Sequence, residues 1–325
     1  MIIITGAAGF IGSALLWALN ERGETDILLV DELDHDDKER NLAPLKYEEL
    51  VGIKEFREKL LAGDYNNRDV KAIFHLGACS DTTETNWAYL EDNNVEYSKD
   101  IIRWCTDRDI RCIYASSGAT YGSGEQGYSD DHKLFNELKP LNLYGKSKLL
   151  VDIWALDGGY LDKAVGLRYF NVFGPNEWHK GHMQSVIAKR YPEVVNEGVM
   201  HLFKSYHPDY GDGEQQRDFV YVKDAVAATL FFYDNPKPAG VFNVGTGKAS
   251  TWNEVAYALF AAADKTPRIE YIEMPKNIRD QYQYFTEADI KKLTSAGFTK
   301  KPYSLPDAVG EYVQDFLAPN KHLGE

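Results

Sequence analysis

M-I-I-I-T-G-A-A-G-F-I-G (Met1 to Gly12) decides the fold. The β-branched run Ile2, Ile3 and Ile4 reads as a strand buried on both faces, and Gly6, Gly9 and Gly12 follow at G-x-x-G-x-x-G spacing before helical periodicity begins. Each glycine has a separate job: one permits a tight turn, one lets backbone approach a pyrophosphate, and one lets helix pack closely on strand. Helical N–H groups and the positive end of the helix dipole then face the phosphates. A glycine triplet alone also punctuates ordinary turns, so the strand before it and the helix after it give it meaning. Asp31 ends the next apolar run, Ile27 to Val30, 19 residues beyond Gly12, where an acid that binds a dinucleotide ribose is expected.

Working outward, the pattern predicts a helix over Phe10 to Arg22, a strand over Asp26 to Val30, a charged loop from Asp31 to Asn41 and an exposed amphipathic helix from Glu48 to Ala62. A strand at Ala72 to Leu76 runs into small residues, Gly77-Ala78-Cys79-Ser80, at the strand edge that borders the ligand crevice of a doubly wound sheet. A helix at Asn86 to Asp107 holds Asn93 and Asn94, poor interior helix formers whose structural reading is placed ahead of a functional one. A strand at Arg111 to Ala115, a helix at Asn142 to Leu156 and a strand at Ala164 to Tyr169 complete the alternation. This is an α/β protein with a doubly wound, Rossmann-type parallel sheet and right-handed crossovers. Beyond Asn176 the periodicity loosens, and His207 to Gly213 reads as loop. A strand at Asp218 to Val222, a helix to Tyr233 and a strand at Gly240 to Val244 return to the large domain. The expected division is a dinucleotide-binding domain of residues 1–170 and 217–246, and a smaller, discontinuous α/β substrate-binding lobe of residues 171–216 and 247–325.

With 44% hydrophobic and 26% charged residues in 325, the composition is that of a globular protein. A net charge of −14 argues against nucleic acid or anionic membrane as partner. Cys79, Cys105 and Cys112 are an odd, unclustered set without metal-ligand spacing, which fits a reducing, cytoplasmic compartment and no metal site. No apolar run reaches the length of a membrane span, and a strand beginning at Ile2 leaves no room for a signal peptide.

The chemistry lies further along. Tyr144 and Lys148 are four apart on a predicted helix, hence on one face, and an ammonium there favours phenolate. Y-x-x-x-K is common on helix surfaces by chance. Ser117, at the end of the preceding strand, adds a hydroxyl able to position a reacting oxygen, so that a dinucleotide loop, a strand-end Ser and a Tyr/Lys helix form a hydride-transfer constellation.

These residues resemble the extended short-chain dehydrogenase/reductase superfamily and, within it, the ADP-L-glycero-D-manno-heptose 6-epimerase family. The matching stretches are F-H-L-G-A-C-S (Phe74 to Ser80), Y-A-S-S-G-A-T-Y-G (Tyr114 to Gly122), L-N-L-Y-G-K-S-K (Leu141 to Lys148), R-Y-F-N-V-F-G-P (Arg168 to Pro175), H-K-G (His179 to Gly181), R-D-F-V-Y-V (Arg217 to Val222) and F-N-V-G-T-G (Phe242 to Gly247). The resemblance implies an isomerase that inverts C6 of the heptose by transient oxidation to a ketone and re-reduction, and it makes Lys180, by composition one more loop lysine, a second catalytic base beside Tyr144. It implies cofactor contacts from Phe10, Ile11, Asp31, Glu32, Lys38, Lys54, the Leu76, Gly77, Ala78, Cys79 and Ser80 loop, Asn93, Lys148, Val172 and Lys180. It implies substrate contacts from Ser117, Asn171, His182, Lys189, Phe203, Lys204, Ser205, Tyr206, Arg217 and Tyr282. A guanidinium at Arg217 also suits a diphosphate on chemical grounds. The chain departs from the family at His182 and Lys189 and in the length of the loop after Phe203. Asp31 alone favours NAD, because a carboxylate repels a 2′-phosphate; the resemblance favours NADP, with Lys38 and Lys54 offsetting that repulsion, and NADP is the reading taken. The family also implies a homo-oligomer, a pentamer. The alternative is another nucleotide-sugar epimerase or a dehydratase; the latter needs a carboxylate just after the strand-end hydroxyl, where this chain has Gly118-Ala119.

Overall fold

A computed structural model describes residues 1–279 and 282–325. The chain opens with β1 (Ile2–Thr5), α1 (Phe10–Glu21), β2 (Ile27–Val30), α2 (Asp36–Leu42), β3 (Glu49–Val51), α3 (Ile53–Ala62) and β4 (Ala72–His75). It continues through α4 (Trp87–Leu90), α5 (Tyr97–Asp107), β5 (Arg111–Ser117), α6 (Leu143–Asp157), β6 (Val165–Tyr169) and α7 (Val186–Glu197). Seven parallel strands form the central sheet in the order Gly240–Val244, β6, β5, β4, β1, β2, β3. The chain winds outward from β1 in both directions, so the carboxyl ends of β1 and β4 border the crevice where such sheets bind ligands.

Side-chain alternation along each strand explains the layers. Ile2, Ile4, Ile27, Leu29 and Phe74 face one hydrophobic layer with α1, while Ile3, Leu28, Val30 and Ile73 face the other with α3 and α5. The β-branched strands are buried on both faces, as a parallel sheet requires.

Three expectations are corrected. The stretch Asp31 to Asn41 is not all loop: α2 forms at Asp36, where the His35 ring accepts from the Asp37 amide and Asp36, Asp37 and Glu39 complement the helix dipole. Glu48 to Ala62 is not one helix, because Glu49–Val51 pairs with β2 as an edge strand and Gly52 caps α3. Phe219–Tyr221 does not rejoin the large sheet; it pairs with Asn171–Phe173 in a separate parallel ladder. The helix that follows, Val222–Asp234, does pack on α1, and Gly240–Val244 does join the sheet beside β6. Between α4 and α5 a π turn, Glu91–Glu96, holds Asn93 and Asn94. In the segments flanking these elements, Met200–Phe203 pairs in parallel with Ile269–Ile272, and α7 and the helix Trp252–Ala262 pack on each other.

Candidate active site

The loop after β1 is built by close approach. Gly6 sits at φ +69, and a Cβ there would lie 2.6 Å from the Gly77 nitrogen, so the loops after β1 and β4 touch backbone to backbone. A Cβ on Gly12 would lie 2.0 Å from the Gly6 carbonyl oxygen. Gly9 is the N-cap of α1 and offers no side chain to its first-turn amides, among which there is no acidic residue. These amides are thus left to an anion, and the cradle fits a dinucleotide pyrophosphate.

At the tip of β2, Asp31 is buried and its two oxygens accept from the Ala8 and Glu32 amides, at 2.9 and 2.8 Å. Lys38, on α2, reaches back to Asp31 at 3.2 Å and to Asp34 at 2.8 Å. Burial opposes the Lys38 charge, but hydrogen bonds and attraction from Asp34 and Asp31 outweigh it and raise the pKa. Glu32 is spent differently, accepting from the Ile53 amide at the start of α3. Lys54 is not gathered with them: its side chain is 89% exposed and has Glu58 beside it at 3.9 Å.

Opposite this, β5 ends in Ser117, whose Oγ accepts from the Ala119 amide and acts on the neighbouring Tyr144 hydroxyl. Asn142 caps α6 through the Gly145 amide and so sets the helix rotation that turns Tyr144 and Lys148 inward. Burial raises the Tyr144 pKa, and the Ser117 hydrogen bond opposes that rise. The expected depression by Lys148 is not what this geometry does. The Lys148 amine donates to the Ala115 carbonyl at 3.0 Å, and burial lowers its own pKa to about 8 against the attraction of Asp152 and Cys79.

Lys180 sits on a short 3-10 segment, Trp178–Met183, bent at Gly181 with φ 50. Its ammonium lies 5.0 Å from the centre of the Phe10 ring, which brings it against the dinucleotide loop. Burial lowers its pKa, with attraction from Glu177 opposing and repulsion from Lys189 adding. His182 is exposed and reaches Asp81 at 3.4 Å, joining this loop to the one after β4. Lys189 is exposed on α7; Asn171 and Val172 lie in the strand that leads towards Lys180.

Arg217 is buried, with Nη1 donating to the Gln216 carbonyl at 2.8 Å and Nη2 to that of Gln283. Tyr282 and Trp252 flank it at 5.3 and 6.0 Å and hydrogen-bond each other. Among the described residues no carboxylate pairs with it, and burial lowers its pKa; a buried cation without a counter-ion is shaped for an anionic ligand. Phe203 ends its strand, and Ser205 takes Asp212 through its amide. Tyr206 is exposed and Lys204 half-buried, and both engage Glu273.

Three residues serve the site with little sequence signal. Asn94, from the π turn, accepts from the Cys79 amide and donates to the Cys79 carbonyl and to Ser147 of α6, fixing the Leu76–Ser80 loop, while Asn93 donates to it. Arg279 stacks on Tyr206 at 3.5 Å. Glu177 is fully buried beneath Lys180.

The model of the NAD dependent epimerase/dehydratase family matches residues 2–245. The chain belongs to this family. A curated relative from Nitratidesulfovibrio vulgaris, named ADP-L-glycero-D-manno-heptose-6-epimerase, is 51% identical over 98% of both chains. One of the same name from Fusobacterium nucleatum is 45% identical over 98% of both. The crystal structure of the Helicobacter pylori protein of that name superposes with a TM-score of 0.81 at 27% identity, covering 97% of this chain and 95% of that one. As a member of an NAD dependent family this epimerase uses a nicotinamide cofactor, and the glycine cradle and Asp31 fit one.

Proposed function

We infer that this protein inverts C6 of the heptose in ADP-glycero-manno-heptose, D-glycero to L-glycero. C6 carries a hydroxyl and no strongly acidic C–H, so inversion proceeds through a transient ketone. When bound, the nicotinamide group supplies the acceptor and donor of the C6 hydrogen. The reading is supported by two candidate bases carried on separate elements, Tyr144 near Ser117 at the end of β5 and Lys180 against Phe10 at the start of α1. A ketone that turns over between oxidation and reduction presents its oxygen first to one side and then to the other. Tyr144 and Lys180 then serve the two orientations, one taking the hydroxyl proton and the other returning it. Ser117 orients the oxygen, Lys148 offers its ammonium to the cofactor, and Arg217 with Tyr282 holds the diphosphate.

We read residues 1–170 with 217–246 as the dinucleotide-binding domain and the rest as the substrate lobe. For the cofactor we propose NADP: Asp31 spends both oxygens on backbone amides and is charge-paired to Lys38, whose ammonium offsets repulsion of a 2′-phosphate. Mass analysis of nucleotide released from denatured protein tests this, NAD being the contrary result. A cytoplasmic location is carried from the cysteine usage and a homopentamer from the family resemblance; light scattering of the purified protein tests the latter. Among the described residues no helix is long and apolar enough to cross a membrane.

Incubation with a panel of ADP- and UDP-sugars tests the substrate. Conversion of either ADP-heptose epimer into a mixture of both is expected; conversion of a UDP-hexose instead makes the protein another nucleotide-sugar epimerase. Tyr144→Phe should lose turnover and keep its cofactor.

A further inference from the structure

Glu177 lies three residues before Lys180, and nothing of its side chain reaches solvent. Its Oε1 accepts from the Gly174 amide at 3.3 Å, the Ser185 hydroxyl at 2.7 Å and the Tyr312 hydroxyl at 3.1 Å, and its Oε2 accepts from the Ser185 amide. Gly174 precedes the loop that carries Lys180 and Ser185 follows it, so one carboxylate joins the two ends. The Glu177 carbonyl also accepts from the Lys180 amide at 3.1 Å, which starts the turn that projects the lysine. Ser185 in turn caps α7 through the Ala188 amide.

The donor pattern specifies the charge. A hydroxyl can rotate to accept, but a backbone N–H can only donate, and each oxygen of Glu177 faces one. An ionised carboxylate accepts all four of these bonds with no donor of its own, which favours the charged form against the burial that raises the Glu177 pKa. This buried anion needs a cation, and the positive charge acting on it is that of Lys180. We propose that Glu177 is a positioning residue for Lys180, stapling its loop and holding its ammonium charged beside the dinucleotide cradle.

The proposal rests on the role given to Lys180 above. The other charges around Lys180 are Lys189 on α7, which acts against its protonation, and the neighbouring His179, whose own pKa is lowered to about 4 by burial and by Lys38 and Lys180. Phe10 of α1 contributes only a ring face. Removal of the Glu177 charge therefore leaves the repulsion of Lys189 unopposed and makes the Lys180 proton easier to lose.

The test compares wild type, Glu177→Gln, Glu177→Asp and Lys180→Met, each purified with its bound cofactor. The readouts are epimerase turnover and the pH midpoint of Lys180 acetylation by limiting acetic anhydride, followed by mass spectrometry with the other lysines as internal references. Glu177→Gln should lower kcat by about 10- to 100-fold, as expected for a displaced reacting group, and move the Lys180 midpoint to lower pH. Glu177→Asp keeps the charge and should hold the midpoint near wild type with an intermediate kcat. An unmoved midpoint in a folded, cofactor-loaded Glu177→Gln protein overturns the proposal while leaving Lys180 as a base. Should Glu177→Gln not fold, a midpoint that falls in Glu177→Asp overturns it equally. Wild-type turnover in Lys180→Met removes the role of Lys180 itself, and this inference with it.

Discussion

Lys148, one helical turn beyond Tyr144, donates a hydrogen bond from its amine to the carbonyl oxygen of Ala115, 3.0 Å away on β5. That bond holds the amine at the strand end where Ser117 meets Tyr144, and burial there brings its pKa down to about 8. The ammonium that Lys148 offers to the cofactor is thus present below about pH 8 and lost above it. We predict that kcat/KM falls on an alkaline limb near that value, and that Lys148→Met is slow at every pH without the limb. A profile that stays level well above pH 8 contradicts this role.

Gly12→Ala tests the cradle. The added Cβ would meet the Gly6 carbonyl at 2.0 Å, and that neighbour is backbone with no rotamer to change. The variant should lose about 1–3 kcal/mol in urea unfolding and purify with little bound nucleotide. Full cofactor occupancy would show that the loop has room to spare.

Arg217→Met removes the buried cation with no carboxylate partner among the described residues. A charge-assisted hydrogen bond to phosphate contributes about 1.5–3 kcal/mol, or roughly 10- to 100-fold in KM for the nucleotide sugar. Steady-state kinetics should show that rise with kcat changed less. An unchanged KM contradicts diphosphate binding here.

His75 sets an acid limit on stability. It is buried between Thr5 and Ser98, and burial with repulsion from Lys148 lowers its pKa from 6.5 to about 3. A group that binds its proton less readily when folded leaves stability complete above pH 6.5 and removes it as pH falls towards 3, by about 4–5 kcal/mol over the whole window. Urea unfolding at a series of pH values should show that slope, and His75→Gln should flatten it at some cost at neutral pH. Equal slopes in the two proteins refute the assignment.

The strand–glycine–helix unit, Asp31, Ser117 and the Tyr144/Lys148 pair were legible because each is local: periodicity and spacing carry them over a few residues. α2 was not, since Asp36 to Leu42 has almost no apolar periodicity and its cap is a histidine ring. β3 was hidden for the opposite reason, a three-residue edge strand abutting a helix with the same amphipathic look. Glu177 and Asn94 act through partners eight to 135 residues away, among them Ser185, Tyr312, Cys79 and Ser147, and no window of sequence displays such contacts. The placement of Lys148 on a strand carbonyl likewise depends on how α6 sits against β5.

The central claim is that the hydrogen taken from C6 is the one returned. ADP-D-glycero-manno-heptose carrying deuterium at C6, incubated with the cofactor-loaded enzyme in ordinary water, tests it directly by proton NMR. The account predicts the L-glycero epimer with deuterium retained at C6. Epimer formed with protium at C6 would mean exchange with solvent and would contradict it, as would a substrate left unchanged.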